Sequence, residues 1–179
     1  LHGDVRGIAE DGTTLSAKEV RYDAEHRKLT TPNAFVVTHP GLLIQGKGMT
    51  ANDKLGEITI AEKGEILLSP ASKEKSESPP VTLTCQGPMH VLRAPQGKIG
   101  STWGTITTTQ GSTLLFGEKD QRAKVTCASA KIQLKKEAGE EKNRFSLEKA
   151  DFHGGPHVWV LQGKNRIRAG KGQIDRTKG

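Results

Sequence analysis

An eight-residue pattern that recurs five times constrains the fold of this chain more than any other feature. The first copy, Leu15-Ser16-Ala17-Lys18-Glu19-Val20-Arg21-Tyr22, has an aliphatic residue at position one, a small one at three and apolar ones at six and eight. Ile44 to Ala51 repeats it with Gly46 at the third position, Ile99 to Ile106 with Ser101, Val125 to Ile132 with Cys127, and Ile167 to Ile174 with Ala169. The first two copies agree further, because Leu15 and Leu29 are fourteen residues apart, as are Ile44 and Ile58, at a constant offset of twenty-nine. Periods between about 20 and 50 residues point to units that stack on one another and bury a continuous core.

The parity of the pattern carries physical content. Positions one and three share a face of a strand, as do six and eight, but the step from three to six is odd and would flip the face in a regular strand. A bulge or sharp corner must absorb one residue. The small residues at positions three and six (Ala17, Gly46, Gly104, Gly172) suit a place where the backbone bends or is crowded. Each copy therefore reads as a bent strand whose aliphatic residues all face one interior.

Composition narrows the fold class. The 179 residues suffice for one core, and an all-β domain of this length is ordinary. Only 4% of residues are aromatic while Gly numbers 21, so the interior must be built from Val, Ile, Leu and Ala with many turns. No helical periodicity is sustained, and no apolar run approaches the roughly 18 residues of a membrane span. The chain starts at Leu1 with no basic-then-apolar leader, which reads as a mature or trimmed fragment. A net charge of +7, densest at Lys164, Arg166, Arg168, Lys171, Arg176 and Lys178, favours anionic partners. Nucleic acid is not the expected one, since the aromatics are scattered rather than interleaved with the basic residues.

The expected strands run Val5 to Ala9, then through the first octet after a turn with Gly12 at positive φ, then Lys28 to Thr31 and Ala34 to Thr38 on either side of Pro32-Asn33. Glu57 to Ala61 and Glu65 to Leu68 read as a hairpin across Lys63-Gly64. Residues 69–80, SPASKEKSESPP, read as a flexible loop inserted into a single domain covering 1–179. Two further hairpins are expected at Gly-Pro pairs: Val81 to Cys85 with Met89 to Arg93, and Ala150 to His153 with His157 to Leu161.

No catalytic constellation stands out: there is no Gly-x-Ser-x-Gly elbow, no phosphate-binding loop and no His-Glu-x-x-His. An enzyme is not expected, and neither is a cofactor. His153 and His157 flank Gly-Gly-Pro, which reads first as a turn and not as a metal site. Cys85 and Cys127 sit in strand-like alternation, as two buried thiols or as a disulfide; the thiols are the preferred reading.

The string Asp11-Gly12-Thr13-Thr14-Leu15 through Asp23, followed by Leu29 and Phe35-Val36-Val37, resembles the opening of periplasmic lipopolysaccharide-transport bridge proteins of the LptC and LptA (OstA-like) family. The closing Ile167 to Asp175 resembles the same unit near the other end, so the resemblance spans nearly the whole chain. It implies an all-β, twisted open β-jelly roll, taco-like, with two facing antiparallel sheets of about sixteen short strands. It also implies a non-enzymatic, lipid-binding role in lipopolysaccharide transport to the outer membrane, with acyl chains of lipopolysaccharide or a related anionic glycolipid held between the sheets. Other jelly-roll transport proteins would stack on the strand edges. The location implied is periplasmic, with an inner-membrane anchor outside this chain. The two cysteines, the Ser69 to Pro80 segment and the Gly-Pro pairs depart from the typical pattern, as in a divergent member. On this reading Leu15, Val20, Ile44, Met49, Ile58, Ile99, Ile106 and Ile132 line the lipid groove. The alternative is a β-repeat scaffold or assembly protein with a filled core and no ligand.

Overall fold

The computed structural model of the chain describes residues 1–68, 81–94, 102–117, 122–136, 145–163 and 165–175. The segment expected as an inserted loop, residues 69–80, lies outside them, as do Ile99 and Ser101 of the third octet. The described residues contain no helix and form fourteen strands: β1 (His2–Ile8), β2 (Thr14–Glu19), β3 (Arg21–Asp23), β4 (Lys28–His39), β5 (Leu42–Asn52), β6 (Glu57–Leu68), β7 (Val81–Cys85), β8 (Met89–Arg93), β9 (Thr102–Thr108), β10 (Ser112–Phe116), β11 (Ala123–Cys127), β12 (Ser129–Lys136), β13 (Phe145–Gln162) and β14 (Asn165–Asp175). The central strands alternate inward apolar and outward polar residues, as in β11, where Ala123, Val125 and Cys127 are buried around exposed Lys124, whereas β3 at the edge is exposed throughout.

All pairings are antiparallel, and the long strands serve two walls. The ladder skips residues between Thr31 and Ala34 in β4, between Gln45 and Lys47 in β5, and between His153 and Val158 in β13. On one side of this crease run β1, β2, β7, β10 and β11 with residues 34–39, 42–45, 64–68, 158–162 and 165–169 of the long strands. On the other run β3, β8, β9 and β12 with residues 28–31, 49–52, 57–60, 145–153 and 171–175. The two walls fold onto each other, and a single apolar cluster draws buried side chains from both. This is the two-walled β-jelly roll that the resemblance implies, with fourteen described strands because the long ones count once while belonging to both walls.

The octet is the crossing from the first wall to the second. It carries the chain from β2 to β3 past Val20, across Gly46 within β5, from β11 to β12 past Ala128 and across Gly170 within β14. Of the third copy only residues 102–106, in β9, are described. The odd step in the pattern is the bend itself, and a side chain at Gly46 would collide with the opposite strand: a Cβ there would stand 2.5 Å from Ile60 Cγ2. Neighbouring bend positions take left-handed backbone, Gly48 at φ 70° and, at a cost to a non-glycine residue, Lys63 at φ 50°. Gly12, in the β1–β2 turn, has the expected positive φ of 81°.

Three expected hairpins are absent. Glu57 to Leu68 is one bent strand, with Lys63 at its corner, and Ala150 to Leu161 lies within the single strand β13. Strands β7 and β8 are separate, as expected, but do not pair with each other: β7 lies between β6 and β10, and β8 between β6 and β9. Local alternation is the same for a hairpin and for a strand that bends between walls; the choice is made by distant partners. Likewise Pro32 does not end β4, because it sits in the skipped part of the ladder, where no amide donor is needed.

Candidate functional site

Cross-strand register turns the octets into two continuous aliphatic tracks. On the first wall, Leu15 pairs with Val37, then Ile44, Ile66, Leu83, Leu114, Val125, Val160 and Ile167 follow strand by strand. On the second, Tyr22 pairs with Leu29, followed by Ala51, Ile58, Val91, Ile106, Ile132, Ala150 and Ile174. Position one of the octet supplies the first track and position eight the second. Nine residues at the usual strand spacing span roughly 38 Å.

Of the proposed groove residues, Leu15, Val20, Ile44, Met49, Ile58, Ile106 and Ile132 are all inward and no more than 4% exposed. Ile99 lies outside the described residues. Ile58, Ile106 and Ile132 are successive members of the second track, Leu15 and Ile44 belong to the first, and Met49 pairs with Ile60 beside the crease. Each track is covered along its middle and bare at one end, the first at Ile167 (60% exposed) and the second at Tyr22 (55%), while Leu15 and Ile174 at their other ends are buried and half-buried. Val37, Ile66, Leu83, Leu114 and Val91 belong to the same tracks and were not among the expected groove residues; strict alternation in their strands is the signal that would have found them.

Opposite the crease, among the described residues, two groups join the free rims of the walls. Arg93, at the end of β8, forms an ion pair with Asp11 of the β1–β2 turn and lies 3.5 Å from Thr13 Oγ1. Burial opposes ionisation of Asp11, but hydrogen bonds from the Thr13 side chain and backbone N–H, with the Arg93 guanidinium, hold its carboxyl below the ordinary aspartate range. Nearby, His39 at the end of β4 packs 5.5 Å from the Phe145 ring and 6.2 Å from Trp103, themselves 4.9 Å apart. Nothing in the local sequence pairs residues 82 apart, so these contacts were not legible there.

At the crease, Cys85 and Cys127 are free and buried, and each is register-paired with Ser112 on the strand between them. Two strand spacings, about 9–10 Å, exceed the roughly 7 Å that a disulfide can bridge between Cα atoms. Burial pushes the Cys127 thiol up to about 11, with Cys85 adding to the shift. Ser112 donates to or accepts from Thr108, whose hydroxyl oxygen accepts the Ala130 N–H at 2.9 Å, so the seam is satisfied.

The outer surfaces differ. A shallow groove of about 740 Å³ lies outside the crease, lined by Arg6, Lys18, Ala34, Gln45, Lys47 and Glu65 among others, and its charges are mixed. At the C-terminal edge, Arg166 and Arg168 of β14 both stack on Trp159 of β13, at 4.0 and 5.5 Å from its ring centre. His153 is exposed and His157 packs on Trp159 at 6.1 Å; no group of three or more potential metal ligands occurs among the described residues.

Residues 1–66 match the family model described as lipopolysaccharide-assembly, LptC-related. The match covers β1 to β5 and most of β6, that is, the first two octets and their crossings. No curated protein and no solved structure matches the chain.

Proposed function

We propose, from the match of its first 66 residues to the LptC-related lipopolysaccharide-assembly family model, that this chain takes part in lipopolysaccharide transport and that its two aliphatic tracks carry the acyl chains of a lipopolysaccharide-class glycolipid between the walls. The role in lipopolysaccharide transport is supported by that match; the acyl-binding interior, a place in the periplasm and stacking on other jelly-roll transport proteins are the finer reading. The observation that supports it is the continuity of the tracks from β1/β2 to β14, with bare apolar ends at Tyr22 and Ile167. Each methylene removed from water contributes about 0.8 kcal/mol, so shape-tolerant contact along such a track gives useful affinity without a polar anchor. No covalent chemistry is part of this role.

The competing reading is a scaffold with a filled core, favoured by the exposure of no more than 4% at the inward groove positions. The two separate in one experiment. A photo-crosslinking residue at Met49 or Ile106, both inward, and at the outward positions Arg21, exposed, or Gln133, half-buried, is illuminated in lipopolysaccharide-producing cells. Lipopolysaccharide adducts confined to the inward sites support transport through the interior. Equal or absent labelling at all four positions leaves the filled scaffold as the better description.

A further inference from the structure

We propose that the outer face of the C-terminal edge is a binding site for a phosphomonoester group, built by Arg166 and Arg168 of β14 and Lys124 of β11 around Trp159 and Leu161 of β13. Register places these residues on one face: Lys124 pairs with Leu161, which pairs with Arg166, while Trp159 pairs with Arg168. Lys124 and Arg166 thus stand about 9–10 Å apart on either side of Leu161, two strand spacings, the separation at which long cationic side chains converge on one compact anion.

Three observations point to an anion. First, among the described residues none of the three cations has a carboxylate partner, and in the row through Trp159 the nearest acid is Glu65 on β6, four strands away, at roughly 19 Å. Second, both arginines are tethered to the same indole, at 4.0 and 5.5 Å, which brings like charges together on an exposed strand. Cations on an edge strand also deter pairing with other chains, but that purpose is served by freely moving lysines. Guanidiniums held on a ring present ordered donor forks, the geometry that suits the oxygens of a phosphate. Third, burial and the Arg168 charge lower the pKa of His157, which packs against the same indole, as expected beside an uncompensated positive field. A dianionic phosphate meets three cations better than a carboxylate does, and a floor of one indole and one leucine is sized for a single compact group.

The site lies outside the walls and needs no opening of the interior, so it stands or falls separately from acyl-chain crosslinking. The test uses the full chain with two probes that distinguish the source of the phosphate: inorganic phosphate, and phosphatidylcholine vesicles with or without phosphatidate. Binding is read from the His157 imidazole resonances, whose pKa should rise when the anion fills the site, and from co-sedimentation. R166Q/R168Q should weaken both about tenfold or more, since each lost contact is a charge-assisted hydrogen bond. K28Q/K131Q, which removes the same charge from exposed positions elsewhere, should change them less than about twofold. R166K/R168K keeps the charge, loses the fork and should fall between; it also serves as the readout should the glutamine variant fail to fold. Phosphate binding without vesicle binding retains the site and assigns it a soluble phosphate ester. Equal losses in the charge-matched control, an unmoved His157 pKa, or tighter binding of a polyglutamate peptide than of phosphate would overturn the proposal.

Discussion

Replacing Gly46 by Ala tests why the octet needs a small residue where the chain crosses between walls. The added Cβ would lie 2.5 Å from Ile60 Cγ2, with the Glu62 carbonyl oxygen and Gly64 Cα at 3.5 Å. Contact between carbons is comfortable at roughly 3.5–4.0 Å, so Ile60 or the crease must give way by about 1 Å. Overpacking of this kind costs about 1–3 kcal/mol. The reduced freedom of alanine in the unfolded chain returns about 0.4–1 kcal/mol, since Gly46 has no positive φ to protect. The expected net loss is about 1–2 kcal/mol, or some 2–8 °C in Tm for a chain of this size. Ile60→Ala alone should cost about 2–5 kcal/mol, because its side chain is fully buried. In the double variant the new methyl occupies space vacated by Ile60, so the two losses should sum to less than additive by about 1 kcal/mol. Urea unfolding monitored by circular dichroism gives all four stabilities. A neutral Gly46→Ala, or strict additivity in the cycle, would refute the claim that the Gly46–Ile60 contact dictates the small residue.

Two further outcomes follow from the rims and the crease. The carboxyl of Asp11 has its pKa lowered in the folded protein, so the pair with Arg93 stabilises fully above the unfolded aspartate value of about 3.9 and is lost as pH falls through the folded value. The stability gap between wild type and Asp11→Asn should therefore be widest above about pH 5 and close below about pH 4, as urea midpoints across this range would record; a gap independent of pH contradicts the assignment. Cys85 and Cys127 should react with a thiol reagent slowly in the folded protein, since both are buried and the Cys127 thiol sits at about 11, and both should titrate at once in non-reducing denaturant. Fewer than two thiols in denaturant would mean that the strands are not arranged as described.

What the sequence displayed were relations that repeat. Leu15, Ile44, Val125 and Ile167 fall on one track because they occupy one octet position, and Tyr22, Ala51, Ile106, Ile132 and Ile174 fall on the other for the same reason. The parity defect between positions three and six foretold the crease. Alternation could not say which strand lies beside which, so the bend at Lys63 was read as a hairpin and β7 and β8 were read as partners. Gly-Pro at 87–88 is a turn in either case; that it carries the chain between walls is decided by β6, whose residues 64–68 pair with β7 and 57–60 with β8. The rim contacts were illegible for another reason: Asp11 with Arg93, and His39 with Trp103 and Phe145, meet only after both walls have formed.

The chemistry of the two sides of the fold bears on how acyl chains would enter under the proposed transport role. At the crease the walls are joined covalently, because β4, β5, β6, β13 and β14 run unbroken from one wall into the other, so the walls cannot part there. At the rims they are joined by an ion pair and an aromatic cluster, contacts that part without unpairing a strand. Methionines occupy the crease interior, where Met89 Cε would stand 3.0 Å from a Cβ at Gly64 and Met49 pairs with Ile60; their unbranched side chains repack with little strain. Under the proposed transport role, acyl chains would enter where the rims part, with the crease as the hinge. On that proposal the aliphatic tracks would exchange contact with each other for contact with lipid.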